Sequence, residues 1–128
     1  MRLAPASVIL VVLTAACGDA GPGPATSRVL SCAYAGETCE THTGLMTDDV
    51  AGALQFKCVH ASGAFSDGAC PTSGALAGHC RYTGDAYQAA MGLSYPGATL
   101  DEYFDASSWT EGSAQAWCAA EPGGAWIP

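Results

Sequence analysis

The sequence predicts a small, disulfide-stabilised α+β domain. The expected order is β-α-β-β-α-β, the split βαβ arrangement, with two helices on one face of an antiparallel sheet. Three observations lead there. Cys32, Cys39, Cys58, Cys70, Cys80 and Cys118 all fall between residues 28 and 128. A set of short motifs occurs twice in that stretch, in the same order. Each copy shows the same alternation of a strand pattern, a helical pattern and a short aromatic strand. The alternative is a disulfide-held α+β domain with less sheet.

The repeat comes first, because a duplicated unit constrains everything else. Cys32-Ala33-Tyr34-Ala35-Gly36 matches Cys80-Arg81-Tyr82-Thr83-Gly84. Gly52 to Cys58 matches Gly112 to Cys118, both G-x-x-Q-x-x-C. Gly63-Ala64-Phe65 matches Gly124-Ala125-Trp126. The half-repeats run over about 31–66 and 79–127.

In the first unit, C-x-Y-x-G places Cys32 and Tyr34 on one face of a strand. A helix is then predicted. Thr47 is a suitable N-cap, and Asp48 and Asp49 suit the positive end of the helix dipole. Val50, Leu54 and Cys58, spaced four apart, line one face. Ser62-Gly63 ends the helix, and Ala64-Phe65-Ser66 makes a short strand. In the second unit the strand holds Cys80 and Tyr82. Its helix is expected to start at Ser107 or Ser108, with Trp109, Ser113, Ala116, Trp117 and Ala120 on one face. Pro122 and Gly123-Gly124 end it, and Ala125-Trp126-Ile127 closes the unit.

The chain before the domain reads as an export segment. Arg2 precedes the apolar run Ser7 to Leu13, and small residues lead to Cys17. A short basic-then-apolar segment with a small-residue cleavage site is a secretory signal. The run is shorter than the roughly 20 residues a membrane-spanning helix needs. The ending Thr14-Ala15-Ala16-Cys17 resembles the lipobox of bacterial lipoproteins, which implies acylation of Cys17 and loss of residues 1–16. The alternative is cleavage near Ala16 without lipidation. Residues 17–27, rich in Gly, Pro and small side chains, read as a flexible tether, and 28–128 as one cysteine-rich domain.

With residues 1–16 removed, Arg28, Lys57 and Arg81 face twelve acids. Three scattered cations cannot build a phosphate-binding stripe, which argues against nucleic acid as a partner. The acidic surface favours solubility and basic partners. An even cysteine count in an exported domain reads as three disulfides, with Cys17 the odd one out.

These pieces together resemble small cysteine-rich lipoproteins of Gram-negative, myxobacteria-like envelopes. The resemblance rests on the lipobox, the Gly/Pro tether, Gly63-Ala64-Phe65-Ser66, Gly68-Ala69-Cys70-Pro71, Gly78-His79-Cys80 and Gly123-Gly124-Ala125-Trp126. It implies an envelope location and brings no activity with it.

No catalytic motif stands out. His42, His60 and His79 are spaced 18 and 19 apart, which matches no metal motif, and read as surface or loop residues. Asp101, Glu102 and Asp105 lack calcium-loop spacing. No G-x-S-x-G turn or phosphate-binding glycine loop is present. The expectation is therefore a chain without cofactor or metal, not an enzyme. The expected role is that of an envelope protein, anchored in the outer membrane or alternatively secreted, that is structural or binds other proteins.

The alternative function is a glycan- or peptide-binding module. The second unit carries about 12 extra residues between its first and last cysteines. Tyr87, Tyr95, Tyr103 and Trp109 lie in or beside this insertion, and insertions on a repeat often carry binding. On that reading, deleting residues around 91–99 leaves the fold nearly intact. The aromatics closing the core is the competing role.

The repeat also predicts a disulfide map. Cys32 opens the first strand and Cys58 lies in the last turns of the helix running back against it, so they should pair. Cys80 and Cys118 should pair for the same reason. Cys39 and Cys70 each follow a strand, at ends expected to share one edge of the sheet, and complete the set.

Overall fold

A computed structural model describes residues 23–72 and 74–128. The predicted export segment 1–16, the predicted lipidation site Cys17 and most of the expected tether lie outside the described residues. The end of the tether does not: Thr26 and Ser27 already belong to the first strand.

Among the described residues six strands and three helices follow one another as β1 (Thr26–Tyr34), β2 (Thr38–Met46), α1 (Asp48–His60), β3 (Ala64–Asp67), β4 (Leu76–Thr83), α2 (Gly84–Met91), β5 (Thr99–Asp105), α3 (Glu111–Ala120) and β6 (Ala125–Ile127). The α+β class and the disulfide-held domain are as expected. The predicted four-stranded sheet with two helices is smaller than the real one. All pairings are antiparallel, in the order β3-β1-β2-β5-β4-β6. The repeating unit is therefore β-β-α-β. The sequence reading missed its second strand in both copies, β2 and β5, along with helix α2.

The sheet order is a palindrome of the two units. β1, β2, α1 and β3 correspond to β4, β5, α3 and β6, with a pseudo-twofold axis between β2 and β5. One row of side chains crosses the whole sheet through successive cross-strand partners: Phe65, Cys32, Glu40, Glu102, Cys80 and Trp126. Each member has its repeat-mate at the mirrored position.

The three predicted disulfides are all present. Cys32–Cys58 pins α1 to β1, Cys80–Cys118 pins α3 to β4, and Cys39–Cys70 ties β2 to the segment after β3. The path to them differs from the expected one. Cys32 sits inside β1, not at its start, and β1 and β3 are antiparallel neighbours. The Gly of each G-A-aromatic motif has a steric cause. A Cβ on Gly63 would collide with the Cys32–Cys58 sulfurs, and one on Gly124 would sit 2.9 Å from Cys80 Sγ.

The helices form where the end signals allow. Thr47 caps α1 by accepting from the Val50 amide at 3.3 Å, with Asp48 and Asp49 in the first turn and Lys57 and His60 in the last. Leu54 and Cys58 are its buried stripe. α3 starts later than predicted, capped by Thr110 in a reciprocal pair with Ser113. Ser107 and Ser108 instead form the turn leaving β5, where the Asp105 carboxylate accepts from the Ser107 amide at 2.7 Å. The buried face of α3 is Ala114 and Cys118, and Trp117 is exposed. The core lies between helices and sheet, around Leu30, Met46, Leu54, Tyr82, Tyr87, Leu100 and Phe104.

Candidate functional site

α1 packs over β1 and β3, and α3 over β4 and β6. Between them the helix-side surface of β2 and β5 forms a floor that is mostly covered: His42, Leu100 and Phe104 on it are buried, and Glu40 and Glu102 are half-buried. Glu40 and Glu102 lie there as direct cross-strand partners, on the pseudo-twofold axis. Opposed residues of an antiparallel pair hold their Cβ atoms about 5 Å apart, and like charges so placed repel. Around Glu40 a cleft of about 480 Å³ opens, lined in part by Tyr34, His42, Phe56, Lys57, His60 and Met91.

Each carboxylate has its own surroundings. The Glu102 carboxyl accepts from Tyr82 Oη at 3.4 Å and is reached by Trp117 from α3. Burial first, and then the nearby Glu40 charge, push its pKa up to about 7; the bonds from Tyr82 and Trp117 act the other way, and Glu121 adds to the rise. At neutral pH the two glutamates thus share the floor with fewer than two full charges. Burial and the same two carboxylates also raise the Tyr34 hydroxyl. Glu40 meets the buried His42, whose Nε2 lies 3.5 Å from Glu40 Oε2.

His42 is fixed from behind. Tyr95 Oη donates to Tyr87 Oη at 2.9 Å, and Tyr87 Oη lies 3.0 Å from His42 Nδ1. Since the Tyr87 oxygen accepts from Tyr95, its own proton is free to go to Nδ1, which leaves the Nε2 proton facing Glu40. Tyr87 is fully buried and Tyr95 nearly so. The two tyrosines proposed from sequence as binding residues are therefore core. An expendable insertion is likewise corrected, because Ala98 is also buried and the Pro96 carbonyl accepts from the Leu45 amide at 2.9 Å.

The other two aromatic candidates separate. Trp109 packs against the core just before α3, in a run of edge-to-face contacts from Phe104 through Trp109 to Trp117 with centroids 5.0 and 5.9 Å apart. Tyr103 points to the opposite face of the sheet, where it tilts over His79 at 4.8 Å. That face holds a second polar cluster. Arg81 grips Asp101 through two bonds, 2.6 and 3.0 Å, and His79 Nε2 lies 3.7 Å from the same carboxylate without a hydrogen-bond partner. Desolvation lowers the His79 pKa, with Arg81 adding to that and Asp101 opposing it. The histidines are thus not the surface set expected: His42 is core, His79 is half-buried on a strand, and His60 alone is exposed, stacked on Phe56 at 5.2 Å.

A larger cleft, about 680 Å³, lies beside the β1–β2 turn, but Ala33, Ala35, Gly36, Pro71, Ala75 and similar small groups dominate its wall. Among the described residues no cluster of three or more His, Cys, Asp or Glu is placed to hold a metal ion. Among the described residues no helix is long and apolar enough to cross a membrane.

The cleft residues missed from sequence are Tyr34, Glu40 and Phe56, together with Glu102, the cross-strand partner of Glu40. The one available signal was Tyr34 and Tyr82 within the repeated C-x-Y-x-G. No protein-family model matches the chain, and comparison with curated proteins and with solved structures gives no match.

Proposed function

We propose that this chain is an exported, lipid-anchored protein of a Gram-negative outer membrane that holds a protein partner and is not an enzyme. The observation that carries the interaction reading is the set of large apolar side chains exposed on the two helices that flank the sheet. Phe56 is 67% exposed and Val59 59% on α1, and Trp117 is 47% exposed on α3. Large apolar side chains left in water mark an interaction surface. Three disulfides in one small domain support an oxidising compartment. Cys17 at the end of the export segment supports the anchor.

Glycan or peptide binding through the insertion is weakened by the burial of Tyr87 and Tyr95, so the binding role moves to the exposed helix surfaces. Two measurements test the proposal. Mass spectrometry of the mature N-terminus should show an acylated Cys17; a chain starting at Gly18 or beyond sinks the anchor. Photo-crosslinking from position 56 or 117 in intact envelopes should trap a discrete protein adduct. If crosslinks from these positions are no richer than from the exposed Gln55, the interaction reading fails.

A further inference from the structure

We infer that the outward face of α1 docks on the same face of a second copy of this chain, the two helices crossing antiparallel about a twofold near Phe56. This deepens the interaction reading and rests on it, because it names the chain itself as the protein partner.

The geometry of the helix defines the face. Leu54 and Cys58 are its buried side. Phe56 lies between them in sequence, roughly 200° around the helix from each, and so points away from the sheet. Asp49, Gly52, Val59 and His60 share that side, and all are exposed. A shallow depression of about 370 Å³ runs over Gly52, Phe56, Val59 and His60, and Gln55 closes it on the β3 side. A Cβ at Gly52 would meet nothing. The space above it is open to a side chain from outside.

The repeat supplies an internal control. Extending the match of Gly52–Cys58 with Gly112–Cys118, α3 carries Ala116, Ala119 and Ala120 where α1 carries Phe56, Val59 and His60. Those alanines are exposed as well. The shared scaffold therefore packs its helix and forms the pinning disulfide without large outward side chains. The apolar groups on α1 serve a contact outside the fold.

Charge selects a second copy for that contact. Asp48 and Asp49 sit in the first turn of α1, and Lys57 and His60 in the last. An antiparallel crossing sets each acidic end beside the other copy's basic end and opposes the two helix dipoles. Asp48 already pairs with Arg28, but Asp49, Lys57 and His60 are in no salt bridge among the described residues. A parallel crossing would put acid on acid. The same operation brings Val59 and His60 over the second copy's Gly52, large against small. Elsewhere the chain's twelve acids against four cations repel another copy. The contact is isologous and closes at two copies.

The test uses the full chain with its export segment, with tagged and untagged copies expressed together. A photo-crosslinking residue at position 59 in intact envelopes should give an adduct that holds both copies. The repeat-equivalent position 119 should give about tenfold less, and Phe56→Ala, the residue α3 has there, should cut the adduct from position 59 by about tenfold. Asp49→Lys and His60→Glu should each cut it by about fivefold, and the two together should restore it to within about twofold. Restoration cannot come from folding, because the double variant carries both altered helix ends. Equal yield from position 119 overturns the inference, as does a charge swap that fails to restore. An adduct with a different protein also overturns it and leaves the broader interaction reading standing. No protein adduct from 56, 59 or 117 removes both.

Discussion

The two halves of the sheet join their first two strands differently. In the first half, β1 and β2 are linked by the three residues 35–37; in the second, β4 and β5 are linked by the fifteen residues 84–98, which include α2. The extra length was visible in the cysteine spacing, and its role was not. Tyr87 and Tyr95 do not hang off their own half. They reach across the axis to His42 and lean on Gly44, whose Cβ position would meet the Tyr95 ring at 2.6 Å. The insertion is a brace between halves. The open face shows a second asymmetry. Cys39 in the first half occupies the position of Asp101 in the second, and their cross-strand neighbours are Ala33 and Arg81. One half holds that place with a disulfide to Cys70, the other with an Arg–Asp pair. A duplicated scaffold thus keeps its symmetric disulfides under the helices and varies its fastenings elsewhere.

The comparison breaks most sharply at the disulfides. Removing Cys32–Cys58 or Cys80–Cys118 by paired Ala substitution should each cost about 3–4 kcal/mol, from closed loops of 26 and 38 residues. Each bond is also what the adjoining helix packs around. Cys39→Ala/Cys70→Ala, spanning 31 residues on the other face, should detach the inter-half segment and leave both helices in place. Denaturant melts of the three variants, read with helix circular dichroism, check this. Loss of helix in the Cys39/Cys70 variant would refute the division of labour.

The axis itself should respond to pH. Glu102 holds its proton up to about pH 7 in the folded chain, against an ordinary value of 4.5. Below the lower value both states are protonated and the contribution is fully present. Between the two, the folded state binds the extra proton, so stability falls as pH rises, and by the upper value the contribution is lost. The span corresponds to about 3 kcal/mol. Glu102→Gln should flatten that slope and stabilise the domain above pH 7. The groups facing Glu102 are Glu40 on β2, Tyr82 on β4, and Trp117 and Glu121 at the α3 side. Thermal melts from pH 4 to 8 decide it; an unchanged slope in the variant would remove Glu102 from the account.

The brace should show at Tyr87. Tyr87→Phe keeps the ring and deletes the hydroxyl, leaving both His42 Nδ1 and Tyr95 Oη without a partner in a buried site. The expected cost is about 1–3 kcal/mol. Hydrogen exchange should quicken in β2 as well as in α2. Faster exchange confined to the second half would mean the insertion does not tie the halves together.

These contrasts explain what was legible in the chain. Cys, Gly and aromatic positions repeat because the disulfides, the glycines against them and Phe65 or Trp126 make the same contacts in both halves. They gave the extent of the repeat, helices α1 and α3, and the bond map, while β2, β5 and α2 escaped them. β2 was hidden because its run, Thr38-Cys39-Glu40-Thr41-His42-Thr43, carries polar residues on both faces: Glu40 and His42 toward the cleft, Thr41 into a bond from the Cys70 amide at 2.9 Å. The Glu40–Glu102 pair was hidden by arithmetic. Glu40 follows Cys32 by eight residues and Glu102 follows Cys80 by twenty-two, since the brace intervenes. Only the fold realigns them. Tyr87 and Tyr95 were misread for the converse reason: an insertion on a repeat suggests a surface loop, and these rings are the side chains filling the seam.

The smallest contrast lies in the equivalent helix caps. Thr47 makes one bond to α1, from the Val50 amide at 3.3 Å. Thr110 makes a reciprocal set with Ser113: its hydroxyl accepts from the Ser113 amide at 3.1 Å while Ser113 Oγ accepts from the Thr110 amide at 3.0 Å. The second arrangement satisfies two helix-end donors where the first satisfies one. α1 has compensation in Asp48 and Asp49 at its first turn, whereas α3 has Glu111 alone. Thr110→Ala should therefore cost more than Thr47→Ala, with both in the range of about 0.5–2 kcal/mol for lost caps. Matched denaturant melts give the two values, and exchange at the Ser113 and Val50 amides assigns each loss to its helix. Equal costs would mean the reciprocal bond adds nothing to the simple cap.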